Sequence, residues 1–123
     1  MGDAVIGTVN GVVYIALEEG LKRVMGNKKL FIKLLTKFRT DTKLDGLLDS
    51  IKANEMEAAR VHAHTLKGVS ANLSLQELFL KTQELEAQIK TGTIDPSLTE
   101  TVTRVFSETM ELIDKVIEQY GSS

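Results

Sequence analysis

Apolar residues recur along most of the chain at intervals of three and four, the period of helices that turn one face to a core. Tyr14, Leu17, Leu21 and Val24 mark a first short helix, stopped by Gly26 and Asn27. Asn27 is placed to cap a second helix, in which Leu30, Phe31, Leu34, Leu35 and Phe38 form one stripe. Leu44, Leu47, Leu48 and Ile51 resume that stripe after Thr40-Asp41-Thr42, which predicts one long helix or a bent pair. Asn54 stands three positions before Glu57, a capping-box spacing that predicts a third helix running to about Leu73. Ser74 and Glu77 repeat the spacing and open a fourth, with Leu75, Leu78, Phe79, Thr82, Leu85 and Ile89 on its apolar face and Gly92 at its end. Asp95 followed by Pro96 is a cap with proline in the first turn. It starts a last long helix carrying Leu98, Val102, Val105, Phe106, Leu112, Ile113 and Val116.

Residues 1–11, with Gly2, Gly7 and Asn10, show no clear period and are expected as a loosely ordered lead-in to a single domain over 12–120. No segment alternates in the manner of a strand, and short loops join neighbours that run antiparallel. The expected fold is all-α, an antiparallel four-helix bundle with an additional short N-terminal helix. A length of 123 residues, 42% of them apolar and 26% charged, suits one soluble core. Without cysteine there is no disulfide, thiolate metal site or cysteine nucleophile, as is usual in the cytoplasm. A net charge of −2 argues against nucleic acid as a partner. No apolar run approaches the roughly 20 residues of a membrane span, and Met1-Gly2-Asp3 lacks the basic start of a signal peptide, so no membrane partner is expected. One stripe per helix, with no surplus apolar face, points to a monomer.

The candidate chemistry lies on the third helix. At about 100° per residue, Arg60, His64, Lys67, Gly68 and Ala71 share one sector, while Ala59, Leu66, Val69, Ser70 and Leu73 lie on the far side. His64 therefore faces outward from a core stripe that is complete without it. Gly68, one turn on, costs about 1 kcal/mol relative to alanine in a helix interior. Omitting a side chain there clears an approach to the imidazole. Lys67 is three residues beyond His64, within reach of a negative group carried on the ring. A neutral imidazole is a nucleophile, so these three residues form a phosphoryl-accepting surface.

The stretch Ala63-His64-Thr65-Leu66-Lys67-Gly68-Val69-Ser70-Ala71-Asn72-Leu73 resembles the signature of histidine-containing phosphotransfer (HPt) domains, approximately A-H-x-L-K-G-x-[SA]-x-x-[LI]-G. Glu19 to Phe31, then Leu34, Leu35 and Phe38, and also Leu85-Glu86, are similar to the family as well, so the likeness covers about residues 12–116. The resemblance implies a helical bundle whose His64 is phosphorylated, exchanging the group with an aspartate of a receiver domain on a response regulator or hybrid sensor kinase. It implies that Lys67 assists the phosphoryl group, that Gly68 gives the receiver room, and that Mg²⁺ sits on the receiver, with no cofactor and no metal on this chain. A carrier of this kind is stoichiometric and not an enzyme; no ATP-binding motif is present, so the group comes from outside. Ser74 departs from the pattern, where the family usually has glycine. As a cap for the fourth helix it would do the same task; if the glycine serves a positive φ, serine is strained there.

The other readings are weaker. His62 and His64 form an H-x-H pair, but on a helix they point about 160° apart and cannot share an ion. His62 is expected at the edge of the core. Arg60, and with it Ala71, faces the side a partner would meet. Lys22, Arg23, Lys28, Lys29, Lys33, Lys37 and Arg39 are expected as a solvated face, or as charges that steer an acidic receiver to His64. Glu84 and Glu86 are expected to solvate the fourth helix. The alternative in a different class is a catalytically silent helical adaptor that binds a receiver without transfer.

Overall fold

The structure, a computed structural model, describes residues 6–120. A two-stranded hairpin, β1 (Thr8–Val9) and β2 (Val12–Val13), precedes six helices: α1 (Leu17–Arg23), α2 (Lys28–Asp41), α3 (Asp45–Lys52), α4 (Met56–Asn72), α5 (Gln76–Thr91) and α6 (Pro96–Tyr120). The fold is all-α in character, as expected. α5 packs between α4 and α6, α2 closes on α6, α3 lies on α4, and α1 rests on α2. Their stripes meet in one core built on Phe31, Leu35, Leu75, Leu78, Leu85, Val102, Val105, Ile113 and Val116.

The hairpin was not anticipated. Val9 pairs with Val12 across Asn10 and Gly11, whose φ values of 49° and 80° make a two-residue turn with both central residues left-handed. Asn-Gly favours that turn, but strands of two residues are too short to show alternation. The lead-in expected over 1–11 is thus ordered from Ile6 onward, and its residues 1–5 lie outside the described residues. Tyr14, expected in the first helix, precedes it: its backbone N–H bonds Gly7, and its buried hydroxyl donates to Glu108 of α6 at 2.7 Å.

Of the two forms expected for the second helix, one long helix or a bent pair, the structure has the pair, broken where Thr42 turns extended at φ −88°, ψ 128°. Asn27 caps α2 by accepting from the Leu30 N–H at 3.0 Å, Gly92 ends α5 at φ 81°, and Asp95 accepts from the Ser97 N–H at 2.9 Å. The two capping-box readings fail, both for one reason. Asn54 (φ 59°) and Ser74 (φ 57°) close the preceding helix instead of opening the next. In each case the following N–H reaches back five residues, Glu55 to Ser50 and Leu75 to Ser70, while the residue itself bonds a carbonyl three back. That is the Schellman arrangement, whose left-handed position glycine usually fills. α4 and α5 consequently start without a side-chain cap. Ser74 offsets its unfavourable backbone with a hydrogen bond from its hydroxyl to Glu19 of α1 at 2.8 Å, and its carbonyl accepts from the Ala16 N–H at 2.9 Å.

α1 sits close to α2 because Gly20 has no side chain: a Cβ there would lie 2.6 Å from the ring of the buried Phe31. Gly20→Ala is therefore expected to destabilise the fold by roughly 1–3 kcal/mol, read as a lower denaturation midpoint. Gly46→Ala is the control. Its Cβ would meet the ring of His62 at 2.8 Å, but that side chain is exposed and can swing away.

Candidate functional site

α4 is laid down by a buried side of Ala59, Ala63, Leu66 and Ser70. With alanines at two of these positions, its neighbours can approach closely. His64 falls outside this stripe, its side chain 65% exposed. The tight turn through Ser74 then returns the chain antiparallel as α5, so that position 86 arrives beside positions 64 and 67.

Glu86 occupies that position, and its side chain is only 3% exposed. One carboxylate oxygen, Oε1, takes the Lys67 ammonium at 2.7 Å; the other, Oε2, lies 3.1 Å from His64 Nδ1 and 3.8 Å from the Lys90 ammonium. A buried charge is tolerated only when paired and hydrogen-bonded, and here three groups do so. The Lys67 hydrogen bond outweighs the burial that would raise the acid's pKa, and together with the His64 hydrogen bond and the charge of Lys90 it holds the Glu86 carboxyl below its ordinary value of 4.5. The stabilisation from this group is therefore complete above about pH 4.5 and is lost as acid carries the pH down through the lowered value.

An ionised carboxylate can only accept, so the hydrogen between His64 and Glu86 belongs to Nδ1. In the neutral ring the lone pair is then on Nε2, and the side chain is mostly open to solvent. Glu86 is thus a residue whose part sequence reasoning missed, having placed it in solvent. A signal was present: Thr82, Leu85, Glu86 and Ile89 follow the spacing of a buried helix face, which puts a carboxylate in the apolar phase of α5.

The other expected residues are placed as follows. Lys67 is 24% exposed and held by Glu86, not extended freely toward the ring. Nothing lies within 4 Å of a Cβ built on Gly68, so the space above it is open. Arg60 is engaged with Glu57, its Nε and Nη2 at 3.1 and 2.6 Å, and Glu57 raises the guanidinium's pKa further. Ala71 is half-buried on the same side of α4. His62, expected at the edge of the core, is exposed, with its ring against Gly46 of α3. Glu84 is an exposed partner of Lys81 at 3.4 Å, as expected of a solvated side chain.

The basic run is exposed throughout, as expected of a solvated face, and Arg39 and Lys28 in it also reach α6. Arg39 pairs with Asp114 of α6 at 3.0 Å, Lys28 stands 5.3 Å over the ring of Tyr120, and Lys37 pairs with Asp41 at 3.3 Å. The cations drawn to the Glu86 carboxylate are instead Lys67 and Lys90, and Arg60 lies one turn before His64. Among the described residues no cluster of three or more His, Asp or Glu is placed to hold a metal, and no helix is long and apolar enough to cross a membrane. Grooves of about 710 and 660 Å³ run elsewhere, and neither is lined by His64, Lys67, Gly68 or Glu86. His64 stands on an open surface and not in a groove, a position suited to contact with another macromolecule.

Compared with known proteins, residues 33–120 match the family model of the Hpt domain, a span that includes α4, α5 and all four of those residues. No curated protein and no solved structure gives a match.

Proposed function

The chain belongs to the Hpt domain family, and on that premise we propose that it is a phosphorelay carrier, accepting a phosphoryl group on His64 from a receiver's phospho-aspartate and passing it to another receiver. The observation that carries this reading is the Glu86 hydrogen bond to Nδ1, which makes Nε2 the nucleophile on an exposed ring. Attack by the Nε2 lone pair forms the N–P bond as the acyl phosphate's P–O bond breaks and its electron pair returns to the aspartate carboxylate. Because the ring already holds its proton on Nδ1, none has to move. The product is a phosphoimidazolium facing a carboxylate. Transfer of this kind passes through a loose transition state, so positioning and charge supply most of the catalysis. Lys67 and Lys90 supply charge from this chain, and Mg²⁺ on the receiver supplies the rest. Gly68 and Ala71 leave room for the receiver's backbone, and Arg60 offers a cation to its acidic site. The carrier is stoichiometric, without turnover of its own, and works with cytoplasmic receivers.

Mixing the protein with a phosphorylated receiver tests this. The expected product is a phosphoprotein stable in base and labile in acid, formed in one-to-one stoichiometry and discharged by fresh receiver. Receiver binding with no transfer in either direction would leave only the silent adaptor.

A further inference from the structure

In the unphosphorylated protein, the Glu86 carboxylate is shared by two groups that phosphorylation would change. Lys67 holds one oxygen and the His64 ring holds the other. A phosphoryl group on Nε2 brings about two negative charges one helical turn from the Lys67 ammonium, which sits on a flexible four-carbon stem. It also turns the neutral ring into a cation whenever Nδ1 keeps its proton.

We propose that Glu86 is a counter-charge that exchanges partners: on phosphorylation Lys67 leaves it for the phosphoryl oxygens, and the carboxylate, relieved of that cation, holds His64 as a protonated phosphoimidazolium. This rests on the carrier reading and adds what sets the lifetime of the carried group. When the N–P bond breaks, its electron pair returns to Nε2. If Nδ1 is protonated, the ring leaves as neutral imidazole; if not, it must leave as the far poorer imidazolate. A carboxylate on Nδ1 therefore keeps the phosphoryl group transferable, and exposes it to water, whose oxygen takes the phosphoryl group and whose proton passes to solvent.

The charged groups around Glu86 are few enough to define the outcome. From α4 come His64, Lys67 and the more distant Arg60, itself paired with Glu57, and from α5 comes Lys90 at 3.8 Å. Lys90 is 59% exposed and weakly held, so it does not replace Lys67 at the carboxylate when Lys67 departs. Both oxygens are then available to the ring.

Phosphoramidate, a small phosphoryl donor to imidazole, provides a test independent of any receiver. The native protein, Glu86→Gln and Glu86→Asp are labelled, and loss of the phosphohistidine signal is followed by phosphorus NMR through neutral and mildly alkaline pH. Glutamine keeps the acceptor and removes the charge. The phosphoryl group is expected to live about tenfold longer in Glu86→Gln above neutrality, because the ring there loses the charge that holds its Nδ1 proton. Glu86→Asp should remain closer to native. Nitrogen NMR of the phosphorylated native protein should show Nδ1 still protonated at mildly alkaline pH. Equal lifetimes with the same pH profile, or an unprotonated Nδ1 in the native phosphoprotein, overturn this inference and leave the carrier reading intact. No label on His64 of the native protein overturns both.

Discussion

His64→Gln is expected to abolish phosphorylation from a receiver and from phosphoramidate alike, while leaving the protein folded and costing it roughly 0.5–1.5 kcal/mol, the worth of the ring's hydrogen bond to Glu86. The two halves of that expectation come from different features. The buried side of α4 is complete without the imidazole, so the helix loses little when the ring goes. Glutamine presents an amide, whose nitrogen lone pair is delocalised and cannot attack phosphorus. Radiolabel transfer measures the first half and urea denaturation the second. His62, the other histidine, lies about 160° away around the helix with its ring against Gly46 and provides no substitute. Label persisting at more than trace level in the variant would mean that phosphorus is being accepted elsewhere.

A larger side chain at Gly68 is expected to separate chemistry from docking. Side chains on a helix lean toward its N-terminus, so a glutamine at position 68 would spread over the turn that carries His64. Since a Cβ at Gly68 has nothing within 4 Å, the intramolecular cost is small, and removing glycine from a helix interior adds about 0.5–1 kcal/mol of stability for Gly68→Ala. The expected result for Gly68→Gln is a more stable protein whose His64 is still labelled by phosphoramidate, but whose rate of transfer from a receiver falls by at least about tenfold, equivalent to about 1.4 kcal/mol of lost transition-state stabilisation. Equal loss with both donors would assign Gly68 to the reactivity of the ring instead of to access.

What could be read from the residues, and what could not, divides along sequence distance. The stripes of α2, α4, α5 and α6, and the outward face of His64, depend on the helical period alone and are legible in the chain. The state of Lys67 is not. Its partner is 19 positions away on another helix, and only the antiparallel return through Ser74 brings Glu86 beneath it. Glu86 departs from the expectation that a charged residue on a helix is solvated, a rule that yields when two cations and an imidazole share the carboxylate. Asn54 and Ser74 depart from expectation for a subtler reason. Three-residue spacing to a glutamate fits the start of a helix, but the same residues tolerate a left-handed backbone, and closing the helix before them satisfied two carbonyls at once. The family's glycine at this turn is thereby explained as a backbone requirement, which serine meets here with help from Glu19.

The segment from Gly7 to Arg23 has a consequence for how the protein assembles. The α4–α5 pairing that brings His64 to Glu86 closes a loop of 22 residues, whereas the Tyr14 hydroxyl finds Glu108 across 94 and the Ser74 hydroxyl finds Glu19 across 55. Loops of that length carry a larger entropic cost, and contacts that close them are favoured late. The α4–α5 pair is then expected to form before the N-terminal segment clasps the bundle shut. Weakening the clasp would leave the folding rate nearly unchanged and show itself as faster unfolding.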